Sequence, residues 1–317
     1  MKKKKNLLFK IGSLAALTAT GIYFFNKYIA YTARKNKLAP SDALLTYNWK
    51  FGQIRYTKSG NGTPLLLIHN LNSRNSRHEW DSLRPLLEKN YTVYTLDLLG
   101  CGESDKPQFT YTNYLYVGLI SEFIRDIIGG KTDVIASGIS ASFAIMASFN
   151  DKKLFHKIML INPVDPREMN RISSSGSKLR KTLLELPIIG TMLYYILHSR
   201  KNTELYYTEQ IFYNPFTLTS TITSHAYDDA HTCGASGKYL EGSLTANYLN
   251  CNIARACHAI ESDICILGGI QQKNVQDIAA FYRSINPSID CAYVSRSKTL
   301  PHVENVEETM EKITLFF

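Results

Sequence analysis

Short apolar runs recur along the chain and are separated by longer segments of mixed polarity. The runs have the length of single strands, and they cover residues 64–68, 92–96, 133–137, 157–161, 264–267 and 292–294. Segments whose apolar residues have helical spacing, such as residues 114–128, lie between most of them. Strands that alternate with helices form a mainly parallel sheet with helices on both faces, so this pattern predicts an α/β fold.

Two stretches depart from this alternation. Residues 44–51 and 53–57 alternate apolar and polar positions across Gly52, which is typical of an antiparallel hairpin and brings the expected sheet to eight strands. Residues 163–259 are long, aromatic and helix-prone, and they fit a helical cap inserted after one strand. The predicted core therefore comprises residues 42–162 and 260–317.

Residues 1–41 are predicted to form a membrane anchor and a linker. Residues 11–25 carry no charge, and apolar residues on both sides extend this segment until a helix of it would reach across a bilayer. A cleaved signal peptide is the alternative, but no A-x-A cleavage site follows the apolar run. Four lysines at residues 2–5 favour an inside N-terminus and four positive charges between residues 27 and 37 oppose it, so the preference for N-inside is weak.

The net charge of +9 comes from the N-terminus alone. Nine lysines and arginines precede the first acidic residue, Asp42, and the rest of the chain has 27 basic and 27 acidic residues. No basic patch with interleaved aromatic residues follows, so no nucleic-acid partner is expected. The six cysteines have no C-x-x-C or metal-ligand spacing, and no phosphate loop or cofactor fingerprint is present, so no metal or cofactor is expected.

A serine follows one of the predicted strands in a pattern that suits a nucleophile. After residues 133–137 the chain reads Gly138-Ile139-Ser140-Ala141-Ser142 and continues as an apolar, helix-compatible stretch. Small residues two positions before and after Ser140 permit the sharp strand-to-helix turn that lifts a nucleophilic hydroxyl towards backbone N–H groups. The pattern predicts Ser140 as a nucleophile, although an ordinary strand-turn-helix connection has the same five-residue pattern.

Several motifs follow one another in the order of a known family. The predicted strand 65–68 leads into His69, Trp80 follows, residues 97–102 read Asp-Leu-Leu-Gly-Cys-Gly, and Ser140 comes next. In this order and spacing the chain resembles the α/β-hydrolases, over residues 45–162 and more weakly over residues 260–317. The resemblance implies an α/β-hydrolase core with a cap and the hydrolysis of esters through an acyl-enzyme.

The resemblance also implies an oxyanion hole. In the family one N–H comes from the residue after the nucleophile and another from the loop after the His-Gly strand end, which here correspond to Ala141 and Leu71. The chain departs from the pattern because Asn70 replaces the glycine. Asparagine tolerates left-handed backbone better than most residues, so the loop conformation remains possible.

The histidine that the family takes from the loop after the last strand is displaced. When the chain is aligned on Leu300-Pro301 and Glu304, Thr299 occupies the usual histidine position, and threonine cannot act as the base. His302 matches the second histidine of the family pattern. The resemblance therefore leaves His302 as the candidate base.

The acid is also not at its usual position. Gln272 stands where the family has an aspartate, and its amide can orient an imidazole but cannot offset an imidazolium charge. Asp165, after the strand at residues 157–161, is a candidate substitute for the missing carboxylate. Alternatively, Asp165 is a turn or helix-cap residue beside Pro166. His225 and His231 in the cap can overhang the site, but structural roles suit them better.

Two functions remain open. The first is a membrane-anchored serine hydrolase of carboxylic esters, including lipid-like ones, with Ser140 as nucleophile, His302 as base and Asp165 or Gln272 as its partner. The second is a catalytically impaired binding or scaffold protein at the membrane, because Asn70, Gln272 and Thr299 occupy functional positions of the family. A serine at a strand-to-helix turn of this scaffold favours the first function.

Overall fold

The computed structural model describes residues 2–38 and 44–317. Its strands are β1 Leu45–Trp49, β2 Gly52–Ser59, β3 Thr63–Ile68, β4 Tyr91–Leu96, β5 Thr132–Ser137, β6 Phe155–Ile161, β7 Asp263–Gly269 and β8 Asp290–Val294. Each apolar run of the sequence thus lies in a strand, and β1 and β2 form the predicted hairpin.

All eight strands belong to one sheet in the order β1-β2-β4-β3-β5-β6-β7-β8. The strands from β4 through β3 and β5 to β8 are parallel to one another, whereas β2 is antiparallel to both β1 and β4. The sheet is therefore mixed, which corrects the description of a mainly parallel sheet at its hairpin edge. The carboxyl ends of the parallel strands meet at one edge, where open α/β sheets bind ligands.

The helices lie on both faces of the sheet and in a long insertion. In chain order they are α1 Lys2–Lys35, α2 Arg84–Leu87, α3 Asn113–Phe123, α4 Ser140–Asn150, α5 Pro166–Met169, α6 Ser175–Glu185, α7 Ile189–Leu197, α8 Arg200–Tyr206, α9 Ser220–His231, α10 Lys238–Thr245, α11 Ala254–Ala259, α12 Val275–Ile285, α13 Pro301–Glu304 and α14 Val306–Phe316. Short 3-10 turns at Arg77–Trp80 and Pro215–Thr217 and π-helical turns at Ile124–Ile128 and Tyr207–Ile211 complete them.

The buried strands supply apolar side chains to both faces of the sheet. Leu66 and Ile68 of β3 join one core cluster, and Leu65 and Leu67 join the other. Successive side chains of a strand point to opposite faces, so a strand that is covered on both sides reads as a continuous apolar run. Because both faces of these strands are buried, the strands could be predicted from the sequence as apolar runs.

Helices α5 to α10 lie between β6 and β7, within the segment predicted as a cap. Glu241 of α10 accepts hydrogen bonds from the backbone N–H (2.9 Å) and hydroxyl (2.6 Å) of Ser73, in the loop after β3. Ser76 in the same loop donates to Asp229 of α9 at 2.5 Å. The insertion is thereby bonded to the loop at the carboxyl edge of the sheet.

Helix α1 packs its C-terminal half against the insertion. The side-chain amide of Asn26 donates to the carbonyl oxygen of Ile188 at 3.0 Å, and Ala33 is buried. No helix among residues 2–38 and 44–317 is long and apolar enough to cross a membrane, which differs from the predicted membrane-spanning anchor. The predicted linker, which extends to residue 41, lies partly outside the described residues.

Candidate active site

The residues at the family's functional positions lie at the carboxyl edge of the sheet. Asn70 follows β3, Gly138 follows β5, Asn162 follows β6, and the loops after β7 and β8 carry Gln272 and Thr299. The backbone N–H of Gly138 donates to the carbonyl oxygen of Ile161 at 2.9 Å. The next residue, Asn162, donates from its side chain to the carbonyl oxygen of Thr299 at 2.9 Å. The elbow and the loop after β8 are therefore linked through the end of β6.

Gly138 forms the bend between β5 and α4. It is the first residue after β5, and its φ of 56° lies in the left-handed region, whereas Ser140 is already the first residue of α4. A nucleophile elbow places its serine on the strained residue of this turn. Ser140 was predicted at that point of the turn, but Gly138 occupies it.

The side chain of Asn70 fills the space in front of this bend. The backbone N–H of Ile139 donates to Oδ1 of Asn70 at 3.2 Å. A Cβ atom built on Gly138 would collide with the same carboxamide. In an elbow the N–H after the bend residue is the one that binds an oxyanion. Here that N–H is occupied by a side chain of the protein.

The hydroxyl of Ser140 is hydrogen-bonded to the backbone. It is fully buried and donates to the backbone carbonyl oxygen of His69 at 2.7 Å. The backbone N–H of Ala141 closes the turn by donating to the carbonyl oxygen of Gly138 at 3.3 Å. Leu71, the other expected oxyanion donor, lies in the loop after β3 with a buried side chain.

His302 is packed against Trp80 and a buried carboxylate. Its ring stacks on the indole with centroids 4.5 Å apart, and Nε2 lies 3.4 Å from Oε1 of Glu79. The other carboxylate oxygen of Glu79 accepts the backbone N–H of Asn70 at 3.0 Å. Burial raises the pKa of Glu79, but the imidazoles of His302 and His69 outweigh it and lower the pKa below its usual value. Among the described residues His302 makes no hydrogen bond to Ser140.

Thr299 and Gln272 contact each other. The Thr299 hydroxyl donates to Oε1 of Gln272 at 3.0 Å. These residues stand at the histidine and acid positions of the family pattern, and the bend of Gly138 is linked to the same loop through Asn162. A glycine, a threonine and a glutamine therefore stand at these three positions, and they include no imidazole and no carboxylate.

Asp165 caps a helix. Its carboxylate accepts the backbone N–H of Arg167 at 2.8 Å at the start of α5, and the Arg167 side chain also bridges Asp165 and Asp277. The hydrogen bond from Arg167 lowers the pKa of Asp165. In the part of the chain that the structure describes, Asp165 makes no hydrogen bond or ion pair with His302.

His69 fixes the adjoining loop. Its Nε2 accepts the backbone N–H of Leu98 at 3.0 Å, so the proton is on Nδ1, which donates to the carbonyl oxygen of Asn70 at 2.8 Å. Burial lowers the pKa of His69, which keeps the ring neutral. The histidine therefore orients the backbone that presents Asn70.

A cavity of about 270 Å³ lies between the loop after β3 and helix α9. Its polar lining includes Ser76, His78, Glu79, Asp81, His225 and Asp229, and Tyr207, Ile222, Leu300 and Val303 supply apolar walls. Burial, followed by the charge of Asp97, raises the pKa of Asp229 to about 7. The cavity can hold a small ligand with both polar and apolar groups.

Gly138 as the bend residue and Glu79 as the partner of His302 were not predicted from the sequence. A signal for Gly138 was present, because Ala136 and Ser140 are also small and flank Gly138 at two residues on either side. Because the predicted strand ends at residue 137, the pattern of small residues centred on Gly138 fits the turn better than the pattern centred on Ser140. Glu79 has no comparable signal, because only the folded loop brings it to His302.

The chain is similar to known hydrolases in sequence. The model of the alpha/beta hydrolase family matches residues 65–226. The 2-hydroxy-6-oxo-6-(2'-aminophenyl)hexa-2,4-dienoic acid hydrolase of Metapseudomonas resinovorans is 26% identical over 111 residues, which are 34% of this chain and 38% of that protein. The soluble epoxide hydrolase of Corynebacterium sp. strain C12 is 25% identical over 112 residues, 35% and 38% of the two chains. The chain thus spans less than half the length of these relatives.

Solved structures share the fold over much more of the chain. The epoxide hydrolase CorEH without ligand has a TM-score of 0.69 at 17% identity and covers 87% of this chain and 98% of its own. A membrane phospholipase A described as a bacterial virulence factor has a TM-score of 0.68 at 18% identity, with 98% and 97% covered. At these identities the likeness concerns the fold.

Proposed function

The chain belongs to the alpha/beta hydrolase family, and we propose that it is a member that binds a small ligand without hydrolysing esters. The observation that carries this proposal is the bend at Gly138, whose following N–H is bonded to the side chain of Asn70. A glycine cannot attack an ester, and an N–H that already has a partner cannot stabilise an oxyanion. The cavity beside α9 is the proposed ligand site.

The alternative is ester hydrolysis, including that of lipid-like esters, with Ser140, His302 and Asp165 as the triad. The contacts of these side chains favour the binding function instead. Ser140 is bonded to the carbonyl oxygen of His69, His302 is stacked on Trp80, and Asp165 is paired with Arg167. A base must lie within about 2.6–3.2 Å of the proton that it removes, or reach it through one water.

A fluorophosphonate probe tests this choice. We expect the purified full chain to show no labelling above that of Ser140→Ala, because the hydroxyl is bonded to a backbone carbonyl oxygen and to no histidine of the described residues. Labelling is followed by gel fluorescence across several pH values, with a serine hydrolase of the same fold as positive control. Labelling of the wild-type chain that Ser140→Ala removes would establish the hydrolase and overturn the binding proposal.

We also propose that α1 contacts an anionic membrane surface without crossing the bilayer. Leu14, Leu17, Phe24, Tyr28 and Tyr31 are exposed, and their spacing places them on one stripe of the helix. The buried Asn26 and Ala33 lie on the opposite side, against the insertion. The four lysines at residues 2–5 precede this stripe in the sequence and would attract anionic headgroups.

Vesicle flotation tests the membrane contact with a matched pair of variants. Leu17→Glu should reduce binding to phosphatidylglycerol-containing vesicles by about tenfold, because a buried leucine contributes about 1.5–3 kcal/mol. Thr18→Glu adds the same charge to the neighbouring exposed residue outside the stripe and should have a much smaller effect. Equal losses in both variants would show that the apolar stripe does not insert.

A further inference from the structure

Two histidines and an aspartate converge at the cavity beside α9. His78 lies in the turn Arg77–Trp80, Asp81 follows that turn, and His225 belongs to α9. One ligand-type atom from each side chain lies within 4.8 Å of the other two. All three side chains also line the cavity, and none of them participates in the elbow or the adjoining Thr299–Gln272 contact.

The three side chains already contact one another. Nδ1 of His78 lies 2.7 Å from Oδ2 of Asp81, and the rings of His78 and His225 stack with centroids 3.9 Å apart. Asp81 is exposed and the two histidines are half-buried, so none of the three side chains is enclosed in the core.

From this geometry we propose that His78, Asp81 and His225 bind a divalent transition metal ion, with Zn²⁺ as the preferred ion. Two imidazole nitrogens and one carboxylate oxygen are a donor set that zinc uses with an open fourth position. Tetrahedral bonds of about 2.0–2.1 Å place ligand atoms about 3.3 Å apart, which small side-chain rotations from the present separations would achieve.

The charges around the cavity suit a cation. The carboxylate of Glu79 and the buried carboxyl group of Asp229 line the same space. Arg77, which adjoins His78, is neutralised by a buried ion pair with Asp97 at 2.6 Å. Arg74 also lines the cavity, but its guanidinium lies over the ring of Tyr206 and donates to the carbonyl oxygen of Leu197 at 2.7 Å.

A metal at this point would have a structural and a binding consequence. It would connect the segment after β3 to helix α9 of the insertion, beside the hydrogen bond from Ser76 to Asp229. Three protein ligands leave a coordination position for water or for an oxygen of a ligand in the cavity. This inference does not depend on whether Ser140 is a nucleophile.

Metal titration of the full chain tests the site. After dialysis against a chelator, the wild-type protein should bind one equivalent of Zn²⁺ and melt about 5 °C higher at saturating metal. Co²⁺ in the same site should give the intense visible absorption of tetrahedral coordination. His225→Ala and Asp81→Asn should each weaken Zn²⁺ binding at least about tenfold, since even loss of an outer partner of a ligand costs that much.

The exposed His156 of β6 supplies the matched control. His156→Ala removes a histidine elsewhere on the surface and should retain wild-type Zn²⁺ affinity. The two ligand variants are checked by circular dichroism, so that loss of binding is not mistaken for loss of folding. The proposal is overturned if the wild-type chain binds no stoichiometric metal, or if both folded variants bind Zn²⁺ as tightly as the wild type.

Discussion

Gly138→Ser should lower the free energy of unfolding by about 2–4 kcal/mol, because it combines backbone strain with a steric clash. The φ of 56° at Gly138 is unfavourable for a residue with a Cβ atom. The new Cβ would also collide with the carboxamide of Asn70, which is held by the N–H of Ile139. Urea unfolding followed by circular dichroism measures the loss.

Gly129→Ser separates the two causes. Gly129 has a φ of 78°, and a Cβ atom there would meet no atom within 4 Å, so this variant carries the strain without the clash. It should cost only about 1–2 kcal/mol. Adding Asn70→Ala to Gly138→Ser should recover the difference, with a coupling energy of about 1–3 kcal/mol. If Gly138→Ser is no worse than Gly129→Ser, Asn70 does not fill the elbow.

The same two residues show what the sequence can and cannot reveal. The strand ending at residue 137 and the turn after it were predictable, because a strand covered on both faces is a continuous apolar run. Which residue forms the bend was ambiguous, because Gly138 and Ser140 each have small neighbours two positions away. The ambiguity is resolved by the strand end, which gives Gly138 the positive φ and leaves Ser140 inside the helix.

Contacts between segments that lie far apart along the chain could not be predicted from the sequence. His302 was the remaining candidate base because of its position in a motif, yet its ring lies between Trp80 and Glu79, which come from the loop after β3. His78 and His225 are similarly brought together only by the packing of α9 on that loop. Local patterns specify strands and turns, whereas side-chain partners depend on how loops pack across the sheet edge.

A helix was predicted over the N-terminal segment, and α1 forms it. Asn26 also donates to the carbonyl oxygen of Ile188, so part of the helix is committed to the insertion. The exposed stripe of α1 was not anticipated, because it becomes visible only when the packed side of the helix is known.

Restoring the family residues at four positions should give the chain esterase activity through a serine at the bend. A variant with Asn70→Gly, Gly138→Ser, Gln272→Asp and Thr299→His frees the N–H of Ile139, places a hydroxyl on the bend and supplies a base and an acid. The last two positions are already in contact at 3.0 Å, and the bend is linked to their loop through Asn162. Removing Asn70 also removes the clash that Gly138→Ser would otherwise meet.

We expect the four-site variant to be labelled by a fluorophosphonate and to hydrolyse a short-chain nitrophenyl ester at least about 100-fold faster than the wild type, since a positioned base alone contributes about 10²–10⁴-fold. The three-site variant that keeps Gly138 is the matched control and should remain inactive, because it has the base, the acid and the free N–H but no hydroxyl on the bend. Adding Ser140→Ala to the four-site variant should leave its activity in place. Activity that instead disappears with Ser140→Ala would show that Ser140 is the nucleophile and that Gly138 does not occupy the nucleophile position.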